Sequence, residues 1–126
     1  LRLAEWLEKN PSVEKVNYPG LKNCLSHENA TKYLKNGFGG VLTFIIKGDK
    51  SKAVKFVDNL KLVSHLANVG DAKTLIILPA ATTHQQLSES ELKVVGIPPT
   101  LLRVSVGLEY IDDIIADFDQ SFKLIN

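Results

Sequence analysis

Across 126 residues there is a single cysteine, Cys24, and no methionine, not even at position 1. One cysteine excludes an internal disulfide and any cysteine-rich zinc site. It fits a reducing cytoplasm, and Cys24 itself reads as a small buried or half-buried side chain. An excess of one charge is also missing: 15 Lys and Arg stand against 14 Asp and Glu, a net charge of +1. With no basic tract and few interleaved aromatics, a nucleic-acid partner is not expected. The apolar runs are far too short to span a bilayer, and no signal-peptide pattern opens the chain. The histidines, His27, His65 and His84, lack the close spacing of a metal site. Neither a Gly-x-Ser-x-Gly elbow nor a phosphate-cradling glycine loop occurs.

What is present is one domain's worth of apolar residues, 44% of the chain. At this length a domain buries roughly two-thirds of its unfolded surface. The stretch Leu101–Glu109, LLRVSVGLE, organises the reading. Taken as a strand it alternates, with Leu102, Val104, Val106 and Leu108 on the core row and Leu101, Arg103, Ser105 and Gly107 on the other. Arg103 is one of two arginines beside thirteen lysines. Its planar fork suits a carboxylate or phosphate, which lysine meets only as a point charge. An arginine on the wet face of a half-covered sheet would show the same pattern.

Around this strand, Leu1–Leu7 reads as a helix with Leu3, Trp6 and Leu7 inward, ending near Asn10 before Pro11. It starts without an N-cap residue, which predicts that residues 1–126 form a C-terminal domain taken from a longer protein. Val13–Asn17 is a short strand. Ser26–Asn36 reads as a helix with Ala30, Tyr33 and Leu34 inward, stopped by Gly37, Gly39 and Gly40. Val41–Ile46 is apolar on both faces, so it is a central strand. Asp49 caps a helix over Lys50–Leu60 that faces inward with Ala53, Val54, Val57 and Leu60. Ser64–Asn68 and Thr74–Leu78 are extended, Pro79 ends the second, and Ala80–Gln86 is a loop or a turn of helix. Ser88 opens a capping box for a helix to about Val95. The last helix spans about Glu109–Leu124, with Ile111, Ile114, Ile115, Phe118, Phe122 and Ile125 as its apolar stripe. Glu109, Asp112 and Asp113 complement its dipole and need no catalytic role. The expected fold class is α+β: a mainly antiparallel sheet of three to five strands with helices on one face.

Two polar loops, Asn68-Val69-Gly70-Asp71 and Thr82-Thr83-His84-Gln85, can approach the Arg103 row. NVGDAKTLIILPAATTHQQL followed by LLRVSVGLEYIDDIIADF closely resembles the end of the pyridoxal-phosphate (PLP) enzymes of cysteine and methionine metabolism, and VNYPGL and NGFGGVLTF match in order. The resemblance covers essentially the whole chain, and the Thr-Thr-His-Gln-Gln-Leu wording is most similar to the O-acetylhomoserine sulfhydrylase branch. It implies the small C-terminal domain of a fold-type-I enzyme, a transferase of methionine and cysteine biosynthesis doing γ-replacement. It implies that Arg103 binds the substrate α-carboxylate, that Asn68 helps hold it, and that Thr83 lines the same side. Leu78 stands where many sulfhydrylases have His, and Ala81 where Ser is common. Cystathionine γ-synthase, methionine or cystathionine γ-lyase, and a non-catalytic stand-alone module of the same fold are the alternatives.

Ala30-Thr31-Lys32-Tyr33 also resembles the family's cofactor-lysine motif, but Leu34-Lys35-Asn36-Gly37 follows it in place of the family's continuation. The helical pattern puts Lys32 on the wet face, so it is expected to be a surface lysine. The resemblance then implies that PLP is bound by an N-terminal domain absent from this chain, and that the 126 residues alone are inactive. The implied partners are that domain, an amino-acid substrate and further copies in a tetramer.

Overall fold

The computed structural model describes residues 1–81 and 97–125. These residues form an α+β architecture, and among them are one five-stranded sheet and four α-helices. The strands are β1 (Val13–Asn17), β2 (Val41–Ile46), β3 (Ser64–His65), β4 (Leu75–Ile77) and β5 (Leu101–Ser105). They lie in the order β1-β2-β5-β4-β3, and every neighbouring pair is antiparallel except β3 and β4. The helices are α1 (Arg2–Lys9), α2 (His27–Tyr33), α3 (Lys50–Asp58) and α4 (Ile111–Ile125).

One face of the sheet carries the core. Leu42, Phe44 and Ile46 of β2 alternate inward with Leu102 and Val104 of β5 and Ile76 of β4, all buried. The inward stripes of α1 (Leu3, Leu7), α3 (Ala53, Phe56, Val57) and α4 (Ile114, Phe118, Phe122) close over them. Phe44, Phe56, Phe118 and Phe122 meet ring to ring, with Phe56 and Phe122 centroids 4.4 Å apart. Burial on this scale is the main stabilising term, at about 25 cal/mol per Å² of apolar area. Asp49 caps α3 by accepting a 2.9 Å bond from the Lys52 amide. Asn10 is extended before Pro11, as the proline ring requires, and α1 ends there.

Four expectations are corrected. The strand over Leu101–Glu109 ends at Ser105, and Leu108, expected on the core row, is 86% exposed. A Cβ on Gly107 would lie 2.3 Å from the Ala72 carbonyl oxygen, so the chain crosses the 72–74 segment there instead of pairing on. Glu109 precedes the last helix, which begins at Ile111. The helix expected over Ser26–Asn36 is one of seven residues that buries only Ala30; Tyr33 and Leu34 are exposed, the helix ending at Tyr33 and Leu34 already turning extended off its face. The extended pieces around Ser64 and Thr74 are shorter than expected, two and three residues long. The helix expected from Ser88 lies outside the described residues.

The second face of the sheet is unevenly covered. Its residues are exposed at β1 (Lys15, Asn17), half-buried at β2 and along most of β5 (Thr43, Ile45, Leu101, Arg103), and buried at β4 (Leu75, Ile77).

Candidate functional site

Arg103 sits in the middle of this second face. In register across the sheet it lies between Thr43 of β2 and Ile77 of β4. Strand alternation puts its guanidinium opposite the core, because its neighbours Leu102 and Val104 are fully buried on the other side. Rigid pairing on both flanks holds its Cα, and the head group stays half-exposed. Among the described residues no carboxylate pairs with it. Its Nη2 donates to the main-chain carbonyl of Asn68 at 3.5 Å, the long end of hydrogen-bonding distance.

Asn68 is therefore beside Arg103, but through its backbone. Its side chain is folded into its own turn: Oδ1 accepts from the Val69 amide at 2.8 Å, and Nδ2 donates to Asp71 Oδ2 at 3.3 Å. Gly70 carries the turn with φ of +76°, and Asp71 Oδ1 accepts from the Lys73 amide at 3.0 Å. Thr83 lies outside the described residues, as do His84 and the rest of the second polar loop.

The turn and the segment after it are tied to the sheet by Ser105, to which the sequence assigned no role, and by Glu109, expected only to complement the helix dipole. Ser105, only 3% exposed, accepts from the Gly70 amide at 3.2 Å through its hydroxyl. Next to it, Glu109 accepts from the Thr74 amide at 2.7 Å and from the Thr74 hydroxyl at 2.6 Å. The Thr74 hydroxyl oxygen in turn accepts from the Gly107 amide at 2.9 Å. Burial alone would raise the Glu109 carboxyl pKa; the two bonds from Thr74 outweigh it and, helped by the Lys73 charge, hold it below the ordinary value. Glu109 could have been suspected from an acid closing an apolar run, but its partner 35 residues away could not.

Other titratable groups do not converge here. His27 is half-buried, with Nδ1 2.8 Å from the Pro19 carbonyl and its ring against Phe38, and His65 is exposed at the sheet edge. No group of three or more His, Cys, Asp or Glu among the described residues could hold a metal ion. Cys24 is half-buried, and the Ser26 hydroxyl beside it draws its thiol pKa down. Lys32 is exposed on the short α2, its ammonium 5.2 Å from the Tyr33 ring centroid. A groove of about 340 Å³ on the same sheet face is lined by Lys15, Asn17, Leu25, Thr43, Ile45 and Leu101 among others, but does not enclose Arg103. The guanidinium thus has a floor and one side in this chain and lacks an enclosing wall among the described residues.

Comparison with known proteins identifies the family of the chain. The family model described as "Cys/Met metabolism PLP-dependent enzyme" matches residues 1–123. The chain is 56% identical to the homocysteine/cysteine synthase of Saccharomyces cerevisiae over 99% of its own length and 30% of that protein. It is 51% identical to the O-acetyl-L-homoserine sulfhydrylase of Leptospira meyeri, covering 99% of itself and 28% of the relative. A crystal structure of a Campylobacter jejuni protein assigned by name as an O-acetylhomoserine (thiol)-lyase, solved with N'-pyridoxyl-lysine-5'-monophosphate, superimposes with a TM-score of 0.89 at 43% identity. That match covers 97% of this chain and 29% of the other. The chain therefore spans less than a third of the length of the relatives it matches. With its fold and its sequence agreeing from end to end, the chain belongs to the Cys/Met-metabolism PLP-dependent enzyme family.

Proposed function

We propose that this chain is the substrate-carboxylate-binding domain of an O-acetylhomoserine sulfhydrylase, an enzyme that replaces the γ-acetoxy group of O-acetylhomoserine with a sulfur nucleophile. The observation that carries the reading is Arg103: a guanidinium on a rigid strand, half-exposed, next to the Asn68 carbonyl and paired with no carboxylate among the described residues. A planar fork held in this way offers its unused edge to a carboxylate through two parallel charge-assisted bonds. The names of the relatives, homocysteine synthases and O-acetylhomoserine sulfhydrylases, supply the choice of substrate. Thr83 is proposed to line the same side.

The parent enzyme's cofactor is PLP, as its family membership implies. Lys32, exposed on the short α2, is proposed to be a surface lysine and not the cofactor's partner. The cofactor, its linking lysine and the wall that closes the site are proposed to belong to an N-terminal domain outside these 126 residues, in a cytoplasmic tetramer. When bound, PLP supplies the electron sink; the work of this chain is to bind and orient the amino acid by its carboxylate. Neither Arg103 nor Asn68 moves a proton in this scheme.

The test is kinetic. In the full-length enzyme, Arg103→Ala is expected to lower kcat/KM for O-acetylhomoserine by roughly 2–4 kcal/mol of transition-state binding while leaving the visible cofactor spectrum intact. Near-normal kcat/KM in this variant would make Arg103 a surface arginine and end the reading.

A further inference from the structure

The guanidinium of Arg103 leans on a turn that is itself tied back to the same strand. Its Nη2 donates to the Asn68 carbonyl. Two residues on, the Gly70 amide of the same turn donates to the hydroxyl of Ser105. Ser105 is two residues after Arg103 on β5 and on the same face of the sheet. The path therefore closes on itself: β5, the Arg103 side chain, the 68–70 turn, the Ser105 side chain, and β5 again. The turn it grips is exposed from Leu66 to Gly70, so packing does little to hold it in place. Ser105, in contrast, is almost fully buried between its register partners Val41 and Leu75. A hydroxyl fixed in that way is a rigid anchor, and the left-handed backbone of Gly70 aims the amide at it.

From this geometry we infer that Ser105 is a positioning residue for Arg103. By clamping the 68–70 turn it holds the Asn68 carbonyl against one edge of the guanidinium and leaves the opposite edge turned toward the substrate carboxylate. The inference rests on the carboxylate-binding reading of Arg103. It adds that this reading needs the turn, and that the turn needs the serine. Without the clamp, the carbonyl drifts, the guanidinium samples more rotamers, and each substrate molecule must order it again on binding.

The experiment uses the full-length enzyme and four single variants, Ser105→Ala, Ser105→Thr, Gly70→Ala and Arg103→Ala, with the Arg103→Ala/Ser105→Ala pair. The readouts are KM and kcat for O-acetylhomoserine, KM for sulfide, and cofactor content from absorbance. Ser105→Ala is expected to raise KM for O-acetylhomoserine about three- to tenfold, the scale of one ordinary hydrogen bond, with sulfide KM and cofactor content unchanged. Ser105→Thr keeps the hydroxyl and is expected to restore KM. Gly70→Ala meets no atom within 4 Å, so it perturbs only the turn's φ, and is expected to raise KM as Ser105→Ala does. In the Arg103→Ala background, Ser105→Ala is expected to add nothing, since both act through one guanidinium. If Ser105→Ala does not fold, Gly70→Ala decides. Unchanged KM in Ser105→Ala and Gly70→Ala, with Arg103→Ala impaired, overturns the positioning role and leaves the carboxylate reading standing. A loss of cofactor and kcat in both serine variants, with KM unmoved, overturns it too, as a structural effect. Near-normal kinetics in Arg103→Ala brings down both.

Discussion

Arg103 shows how far a single residue can be read before folding is known. Its rarity among lysines and its place in an alternating apolar run marked it in the sequence; its half-exposed head group beside Asn68 is what the structure adds. Since the role assigned to it depends on a fork, Arg103→Lys in the full-length enzyme is expected to recover only part of the kcat/KM that Arg103→Ala loses. Full recovery by lysine would show that charge alone matters. Gly107 presents the opposite situation. Its spacing looked like one more strand position, yet its importance is a contact with the 72–74 backbone that no local pattern encodes. Gly107→Ala, with backbone atoms 2.3–2.5 Å from the new Cβ, is expected to cost about 1–3 kcal/mol in denaturant unfolding. A change within a few tenths of a kcal/mol would mean that the crossing can relax.

At the scale of elements, α4 carries a polar residue within its apolar stripe. Asp117 is buried between Ile114 and Phe118 and accepts from three consecutive amides, Lys61, Leu62 and Val63, at 2.8–3.0 Å. Together with Ser121, whose hydroxyl donates to the Phe56 carbonyl at 2.6 Å, it fastens α4 to the end of α3 and the turn after it. Asp117 follows Ile114 by three residues, at helical spacing, but no local pattern names its partners at 61–63. Asp117→Ala leaves three amides without an acceptor and is expected to destabilise by roughly 2–4 kcal/mol in thermal or urea melts, with Asp117→Asn losing less. The β5–α4 connection is governed by Glu109. Its pKa is lowered in the folded state, so its contribution is present above the unfolded carboxylate value and is lost as pH falls through the folded one. The stability difference between the native protein and Glu109→Gln is therefore expected to be constant near neutrality and to shrink below about pH 4.5. A difference that stays the same down to pH 3 would remove the charge from the account.

For the whole molecule, the unfinished second sheet face is the informative feature. Leu1, Leu25, Tyr33, Leu34, Leu108 and Tyr110 are exposed large apolar or aromatic side chains around a chain that spans under a third of its relatives. No helix among the described residues is long and apolar enough to cross a membrane. If the proposed large domain covers them in the parent, the 126 residues made alone are expected to self-associate in sedimentation velocity as concentration rises. A strictly monomeric species at high concentration would count against a missing wall. The same preparation, mixed with PLP and reduced with borohydride, is expected to carry no stoichiometric label, because Lys32 is exposed on the surface of α2. A single label on Lys32 would reverse the assignment of the cofactor to another domain.

The α+β class, the interior place of β2, the Asp49 cap, the stop before Pro11 and the inward rows of α1 and α4 follow from the sequence; for α3 the pattern names Ala53 and Val57 but misses Phe56, its largest buried side chain. Each is a local consequence of side-chain period, caps or backbone restriction, and such signals act within a few residues. The tertiary structure alone decided where β5 stops, that α2 buries almost nothing, that Glu109 grips Thr74, and that Asp117 and Ser105 serve turns more than thirty residues away in the chain. These depend on which backbone amides are left unpaired once the sheet is assembled. That accounting closes only in three dimensions, when a buried donor from one segment meets an acceptor from another.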